Sequence, residues 1–116
     1  MENKNKNNCL KLGTIKGRHE MPVKEYIINS EIKSELLNIY NFENLKLIIL
    51  KEIHKIQNRY LNNEFKEIDL YLTGISRIQH LIIKSLNDCG INVNIYDFDK
   101  STNNYFWICK YNGDKE

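Results

Sequence analysis

The chain has 116 residues, of which 41% are hydrophobic and 28% charged, and its 17 basic and 15 acidic residues leave a net charge of +2. This length suits one domain, and the near balance of charge argues against a protein that coats DNA, RNA or an anionic membrane. The longest apolar run, residues 45–50, is broken by Lys46 and is too short to span a bilayer. The polar N-terminus lacks the apolar core of a signal peptide. We therefore expect a cytoplasmic protein that binds neither nucleic acid nor membrane.

The positions of the cysteines and histidines argue against a metal site. Cys9, Cys89 and Cys109 are far apart in the sequence and form no zinc-ligand pattern with the histidines, whereas a structural zinc site needs four ligands. In a reducing compartment such cysteines are most simply small buried apolar residues. The sequence therefore predicts no metal and no cofactor.

The N-terminal third predicts an arm followed by two strands. Residues 1–8 are polar without a periodic pattern, which predicts a disordered arm before a single α/β ligand-binding domain over residues 9–116. Residues 9–15 and 23–29 have the composition of strands, and a turn-forming segment lies between them. We expect these two strands to pair as an antiparallel hairpin. Residues 30–40 fit either a short strand or a loose helical turn.

A long helix is predicted from about Phe42 to Leu61, with Asn41 as its N-cap and Glu43 in its first turn. Two apolar stripes run along it at steps of three and four residues. The first stripe consists of Phe42, Leu45, Ile49, Ile53, Ile56 and Tyr60, and the second of Leu47, Leu50, His54 and Leu61. Because a surface helix of a monomer needs one stripe, the second predicts a homodimer whose core includes residues 42–61. The alternative is that the N-terminal strands cover the second stripe.

The C-terminal half alternates strands with a helix and ends in a hairpin. Residues 68–73 predict a buried strand, residues 75–88 a helix, residues 91–98 a second strand, and residues 105–111 a third strand that returns after a loop. The order of elements is then β-β-α-β-α-β-β, a small α/β fold. Its central strand-helix-strand unit should be a right-handed parallel crossover.

The turn between the buried strand and the following helix is a candidate binding site. Thr73, Gly74, Ser76 and Arg77 place two hydroxyls, a guanidinium and free backbone N–H groups at a helix N-terminus. Such donors and the helix dipole favour an anion, typically a phosphate, and ligands of open α/β sheets bind at the carboxyl ends of strands. The alternative is that Thr73 or Ser76 merely caps the helix and that Arg77 points into solvent.

Acidic and aromatic residues end the next strand, at Asp97, Phe98 and Asp99. A parallel crossover would bring them beside the turn at residues 73–74, where the carboxylates could hydrogen-bond ribose hydroxyls. Several aromatic residues here could stack on a base. They are Tyr96, Phe98, Tyr105 and Phe106. The alternative is a polar hairpin with a buried aromatic pair.

A third cluster, Arg18, His19 and Glu20, stands in the turn between the first two strands. It could clamp a diphosphate or perform acid–base chemistry, or it could form an ion pair that shapes the turn. His80 follows Ser76 by one helical turn, but acceptable hydrogen-bond geometry for a nucleophile and its base would be fortuitous there. Neither Ser76 nor a cysteine has the local signature of an activated nucleophile, so we name no catalytic residue.

Four segments of the chain resemble motifs of a family of small phage proteins. They are Gly17-Arg18-His19-Glu20-Met21-Pro22-Val23, Tyr26-Ile27-Ile28-Asn29, Leu70-Tyr71-Leu72-Thr73-Gly74 and Asn94-Ile95-Tyr96-Asp97-Phe98-Asp99. The pattern is similar to that of the first family of Thoeris anti-defence proteins, over about residues 10–108. That family sequesters the cyclic ADP-ribose isomer that bacterial TIR enzymes make as an alarm signal.

The resemblance implies a ligand, an assembly and a set of contacts. It implies a sponge in the host cytoplasm that binds a cyclic ADP-ribose isomer without cleaving it, and a homodimer or higher homo-oligomer with sites at subunit boundaries. Some members of the family are also binders of cyclic oligonucleotides. The matching positions are Arg18, His19, Glu20, Thr73, Gly74 and Asp99, with Ser76 in place of a threonine. The departures are Asp97 for a histidine, Lys100 for an arginine and Arg77 for an apolar residue, so ligand preference could differ.

Two other functions are compatible with the sequence. One is a small enzyme that degrades a cyclic nucleotide signal, with His19 and Glu20 or His80 as acid–base groups. The other is a nucleotide-sensing interaction module without an anti-defence role.

Overall fold

Within the described residues, five strands and two helices follow one another in the order that the sequence predicts. The computed structural model describes residues 9–15, 21–28, 42–72 and 76–113. Its elements are β1 (Cys9–Ile15), β2 (Glu25–Ile28), α1 (Phe42–Leu61), β3 (Glu67–Tyr71), α2 (Ser76–Asp88), β4 (Asn92–Asp99) and β5 (Asn104–Tyr111). The predicted α/β fold with the order β-β-α-β-α-β-β is confirmed. The predicted arm at residues 1–8 and the ambiguous segment at residues 30–40 lie outside the described residues.

The strands form one mixed sheet in the order β2-β1-β3-β4-β5. β1 pairs in parallel with β2 and with β3, and β3 pairs in parallel with β4. β4 and β5 pair antiparallel around the turn of residues 100–103. The predicted parallel crossover from β3 through α2 to β4 is therefore confirmed, as is the C-terminal hairpin.

The predicted antiparallel pairing of the first two strands is wrong, because β1 and β2 are parallel. Gly13 is opposite Tyr26 and Ile15 is opposite Ile28, so both strands end at the same edge of the sheet. The first residue of β2 is opposite Leu12, which lies about 10 Å before the end of β1. The nine residues between the strands, 16–24, are enough to span that distance. A connection of this length permits a crossover as readily as a hairpin.

Both helices cover one face of the sheet. The connections through α1 and α2 lead in the same direction across the sheet, so right-handed crossovers place both helices on one side, where they contact each other. β2 lies on the opposite side of β1, and for a connection in that direction a right-handed crossover favours the other face. Met21, in this connection, lies over Gly13 there. We call this other side the helix-free face.

The hydrophobic core lies between the helices and the sheet. Its fully buried members include Ile49 of α1, Ile82 and Leu86 of α2, Ile68 and Leu70 of β3, and Val93 of β4. Each such side chain contributes roughly 1.5–3 kcal/mol relative to an exposed position. These residues follow the helical spacing and the strand alternation, so the core fixes which face of each strand is left for other contacts.

The two apolar stripes of α1 have different surroundings. The described members of the first stripe enter the core, where Leu45, Ile49, Ile53 and Ile56 are at most 6% exposed. In the second stripe, Leu47 is 66% exposed, Leu50 is 39% exposed and Leu61 is 65% exposed. The described parts of β1 and β2 therefore leave the second stripe uncovered.

A one-residue bulge interrupts β5. Ile95 is opposite Cys109 and Tyr96 is opposite Trp107, so Ile108 is the extra residue between them. Since opposite residues share a face, Cys109 lies on the side of the core and Trp107 lies on the helix-free face. The bulge thus lets two positions that are two residues apart face opposite sides of the sheet.

The cysteines are half-buried thiols, and Cys89 and Cys109 pack against the core. Burial raises the pKa of both Cys9 and Cys89, so these thiols are protonated at neutral pH.

Neither of the described helices is both long enough and apolar enough to cross a membrane.

Candidate ligand-binding site

The described candidate residues lie along the edge at which the parallel strands end. β3 ends at Tyr71, β4 continues over residues 97–99, and α2 begins with Ser76 and Arg77. Because parallel strands run in one direction, these segments meet at one edge of the sheet, which we call the carboxyl edge. The other predicted site residues, Arg18, His19, Thr73 and Gly74, lie outside the described residues.

The first turn of α2 presents hydrogen-bond donors at this edge. Ser76 and Arg77 are both exposed, and the turn contains no acidic residue that would oppose an anion. With 13 residues, α2 is long enough to develop a positive dipole end. The dipole and the backbone N–H groups of such a turn favour a phosphate.

Three tyrosines and a phenylalanine form a cluster beside the carboxyl edge. The rings of Tyr71 and Tyr96 are stacked, with centroids 4.6 Å apart and planes at 12°. The ring of Tyr105 meets Tyr71 edge-on at 5.2 Å and Phe98 at 5.3 Å. Burial raises the pKa of Tyr71 and of Tyr105 to about 12, so both hydroxyls are protonated donors at neutral pH. Phe106 is opposite Asp97, on the other face, and does not join the cluster.

This cluster shares Tyr71 and Tyr96 with an aromatic row that crosses the helix-free face. The register places one member of the row on each strand, in the order Tyr26, Gly13, Tyr71, Tyr96 and Trp107. Gly13 leaves a gap that its neighbours fill, since a Cβ there would lie 2.6 Å from the Tyr26 ring and from Met21 Sδ. The aromatic row is therefore a continuous surface with Tyr71 and Tyr96 at its centre.

Two hydrogen bonds hold the end of β3 to the C-terminal hairpin. The backbone N–H of Leu72 donates to the carbonyl oxygen of Tyr96 at 3.0 Å. The hydroxyl of Tyr105 donates to the carbonyl oxygen of Leu72, also at 3.0 Å. Leu72 directly precedes residues 73–75, so the hairpin positions the chain just before the start of α2.

A cleft of about 300 Å³ opens between this cluster, the hairpin tip and the β1–β2 connection. Its lining consists of Pro22, Tyr71, Tyr96, Asn103, Asn104 and Tyr105. The described lining side chains are uncharged, and the three tyrosine rings offer flat surface to a planar group. Two larger depressions, of about 510 and 470 Å³, are lined mainly by the starts of β1 and β3 and the segments beside them, away from the carboxyl edge.

The two predicted carboxylates already have partners in the hairpin. Asp99 Oδ1 accepts hydrogen bonds from the backbone N–H of Ser101 at 2.9 Å and from its hydroxyl at 2.8 Å. These bonds hold the pKa of Asp99 below its usual value. Asp97 Oδ1 accepts from the backbone N–H of Phe98 at 2.8 Å. Asp99 thus shapes the turn, which was the alternative interpretation of this segment.

A polar row that the sequence did not single out lies beside the aromatic row. Lys11, Asp69, Asn94 and Lys110 are opposite one another in neighbouring strands. The Asn94 carboxamide donates to Asp69 Oδ1 at 3.0 Å and to Glu67 Oε1 at 3.1 Å, and Lys110 Nζ donates to Glu67 Oε2 at 2.6 Å. Burial raises the pKa of Asp69, which is 9% exposed. Asp69 and Glu67 alternate with core residues of β3, and this alternation is the sequence feature from which a polar row could have been predicted.

The described residues contain little that resembles catalytic machinery. Among them, no hydrogen bond joins Ser76 to His80, and His80 is exposed on α2. No three described His, Cys, Asp or Glu side chains are grouped so as to hold a metal ion. The candidate catalytic pair His19 and Glu20 lies outside the described residues.

No protein-family model matches the chain, and no curated protein and no solved structure matches it. The function is therefore inferred from the residues and their geometry.

Proposed function

We propose that the protein binds and sequesters a cyclic ADP-ribose isomer without cleaving it, and thereby blocks a TIR-based (Thoeris) anti-phage defence. The observation that carries the proposal is the presence, at one edge of the sheet, of an aromatic cleft and of the N-terminus of α2. A cyclic ADP-ribose isomer combines a flat base, a diphosphate and two riboses. The base of such a ligand suits the aromatic cleft, and its diphosphate suits the helix N-terminus.

The proposed contacts follow the chemistry of each segment. The first turn of α2, with Ser76 and Arg77, takes the diphosphate together with Thr73 and Gly74. Phe98 belongs to the aromatic cluster, and Asp97 and Asp99 are proposed partners of ribose hydroxyls. Arg18 and His19 complete the proposed set from the β1–β2 connection, whose described part borders the cleft through Pro22.

Three of the four motifs that resemble the Thoeris anti-defence family fall in these same segments, and the fourth, residues 26–29, begins in β2. The three cover the β1–β2 connection, the end of β3 and the end of β4. A sponge needs tight binding and no turnover, so this function does not require a nucleophile with a paired base. We assign the protein no catalytic residue, and we place it in the cytoplasm, where the TIR signal is made.

We also propose that a second copy of the chain covers the second stripe of α1. Leu47, Leu50 and Leu61 form an exposed apolar line at helical spacing, and such a line on a twofold partner would be self-complementary. The dimer, or a larger homo-oligomer built from it, would bury this line.

A heat-release experiment tests sequestration. The protein is mixed with an equimolar cyclic ADP-ribose isomer, free ligand is removed, and the complex is heat-denatured before chromatography and mass spectrometry. Recovery of intact ligand in an amount that matches the protein supports a sponge. Linear ADP-ribose in excess of the protein would show an enzyme instead.

Two substitutions test the position of the diphosphate. Arg77→Ala and Thr73→Ala should each weaken binding at least tenfold, which is about 1.4 kcal/mol, while the melting temperature stays nearly unchanged. Lys84→Ala is the matched control, since Lys84 is an exposed cation on the same helix that pairs with Asp88. If the control weakens binding equally, the effect is one of general charge and not of the helix N-terminus.

Calorimetry across a nucleotide panel separates the proposed function from a general nucleotide sensor. The panel contains the cyclic ADP-ribose isomers, ADP-ribose and cyclic oligonucleotides. If another nucleotide is preferred a hundredfold, about 2.7 kcal/mol, the protein is better described as a sensor or interaction module for that nucleotide.

A further inference from the structure

The side chain of Met21 fills a notch in the helix-free face. The notch exists because Gly13 of β1 has no side chain, while its partners on the neighbouring strands are Tyr26 and Tyr71. A Cβ atom at Gly13 would lie 2.6 Å from Met21 Sδ and 2.6 Å from a ring carbon of Tyr26. Met21 therefore packs in the space that a side chain of β1 would otherwise occupy.

The sulfur of Met21 lies beside the ring of Tyr26. Two atoms that are each 2.6 Å from one point are at most twice that distance apart. A thioether and an aromatic ring attract each other at a separation of about 5 Å. Since Met21 precedes β2 and Tyr26 belongs to β2, this contact fastens the segment before β2 to the sheet.

Met21 is accessible to small molecules from solvent. It is partly exposed and borders the depression of about 510 Å³ beside the start of β1. The chain has two methionines, and the other one is Met1. A small oxidant can therefore reach Met21 in the folded protein, and the sequence offers no other methionine after residue 1 to compete with it.

A peroxide supplies the oxidation in one step. The sulfur lone pair attacks one oxygen of hydrogen peroxide, an S–O bond forms, and the O–O bond breaks. The proton of the transferred hydroxyl passes to the departing hydroxide, so the thioether is oxidised to a sulfoxide and the peroxide is reduced to water. Methionine sulfoxide reductases reverse the change.

The notch suits a thioether and not a sulfoxide. Among the described residues, its walls are the aromatic ring of Tyr26 and the backbone of Gly13. The N–H and C=O groups of Gly13 point along the sheet toward its neighbouring strands, not into the notch. The sulfoxide oxygen would therefore lie unpaired against apolar atoms or leave the notch to reach water, which takes Met21 away from Tyr26.

We infer that Met21 is a redox-sensitive anchor, whose oxidation to the sulfoxide releases the segment before β2 from the notch formed by Gly13 and Tyr26. Pro22 follows Met21 directly and lines the cleft beside the aromatic cluster, so this release also disturbs the cleft. The anchor stands without the proposed function, and only its effect on ligand binding rests on that function.

Treatment of the full chain with hydrogen peroxide tests the anchor. Peptide mass mapping measures the addition of one oxygen to Met21, with Met1 as the internal reference, and thermal melting measures the effect on the fold. We expect conversion of Met21 to lower the melting temperature by roughly 4–8 °C, and treatment with methionine sulfoxide reductases A and B to restore it. Conversion of Met21 without a change in melting temperature overturns the inference, as does a Met21 that stays unoxidised while Met1 is converted.

Two variants separate the thioether from the cysteines. Met21→Leu keeps the apolar volume without an oxidisable sulfur, so its melting temperature should not respond to peroxide. It retains Cys9, Cys89 and Cys109, so an equal fall in this variant would assign the effect to the thiols and contradict the anchor.

Met21→Gln brings a polar oxygen into the notch without any oxidant. It should reproduce the lowered melting temperature of the oxidised wild type, and a glutamine variant that melts like the untreated wild type contradicts the inference. This variant and the reversal by reductases decide the matter even if Met21→Leu does not fold.

The cyclic ADP-ribose isomer then separates this inference from the proposed function. The oxidised protein should bind the isomer about tenfold more weakly than the reduced protein, which is about 1.4 kcal/mol. Equal affinity of the two forms would contradict the link between the notch and the cleft and leave the proposed function intact. If neither form binds the isomer while the melting temperature falls and recovers, the anchor is right and the proposed function fails.

Discussion

The hydroxyl of Tyr105 donates a hydrogen bond to the carbonyl oxygen of Leu72, at 3.0 Å, and so ties the C-terminal hairpin to the end of β3. The two residues are 33 positions apart in the chain. The carboxyl edge, where we place the ligand, is therefore assembled by a contact between distant segments.

Tyr105→Phe should remove this bond while keeping the ring contacts with Tyr71 and Phe98. A buried carbonyl loses its partner, so we expect a cost of about 1 kcal/mol in the free energy of unfolding, measured by chemical denaturation. Tyr111→Phe on the same strand is the control, since Tyr111 is 46% exposed. Equal losses in the two variants would mean that the Tyr105 hydroxyl contributes nothing specific.

Gly13→Ala should destabilise the protein by about 1–3 kcal/mol, because the new methyl group would enter space held by Tyr26 and Met21. The cost should fall in a Tyr26→Ala, Met21→Ala background, where the space is vacant. A double-mutant cycle followed by urea unfolding measures the coupling. An unchanged cost in that background would place the strain elsewhere.

Asp69→Asn should stabilise the protein at neutral and alkaline pH. Burial raises the pKa of Asp69 above its usual value of 3.8, so the folded state binds the proton more tightly and loses stability as pH rises through the folded pKa. The substitution removes that loss, so its advantage should vanish below pH 3.8, where the carboxyl is protonated in both states. Melting curves from pH 3 to pH 8 check this, with the exposed Asp88→Asn as control. An advantage that does not vary with pH would point to packing.

Lys110→Met should have the opposite dependence on pH. The hydrogen bond from Lys110 lowers the pKa of Glu67 below its usual value of 4.5, so the pair adds stability above that pH and loses it as Glu67 is protonated. We expect a loss of at most about 1 kcal/mol near pH 7, since both groups are partly exposed. The loss should disappear well below pH 4.5 in the same melting series. Lys100→Met, on the hairpin turn, should show neither effect.

Leu50→Glu should give a folded monomer, because Leu50 is 39% exposed and belongs to the stripe that faces away from the core. Light scattering with chromatography measures the mass, and circular dichroism the fold. Ile53→Lys is the contrasting variant, since Ile53 is 3% exposed and its replacement should unfold the chain. A Leu50→Glu protein that keeps the mass of the wild type would show that this stripe is not an oligomer interface.

Elements with periodic burial were predictable from the chain alone. The first stripe of α1 and the apolar run of β3 predicted where these elements lie, because the apolar positions in the sequence are the ones that the core buries. The direction of β2 was not predictable from its own residues, because strand alternation is the same in parallel and antiparallel pairs. Direction is seen only in the register of β2 with β1, which involves both strands.

The candidate site was predictable only in part. The end of β3 and the start of α2 were predictable from local residue types, since Thr73, Gly74 and Ser76 separate a buried strand from a helix. The aromatic row was not predictable, because the place of Tyr26 beside Gly13 requires the parallel pairing and the face of Trp107 requires the bulge. Asp69 was recognisable only by its alternation with core residues, in a segment that otherwise has the composition of a core strand.

The extra residue at Ile108 divides β5 into two segments of opposite phase. Deleting it would force one of them to turn over, so that either Trp107 would leave the tyrosines or Cys109 would leave the interior. The C-terminal hairpin therefore tolerates changes of side chain at this point far better than changes of length.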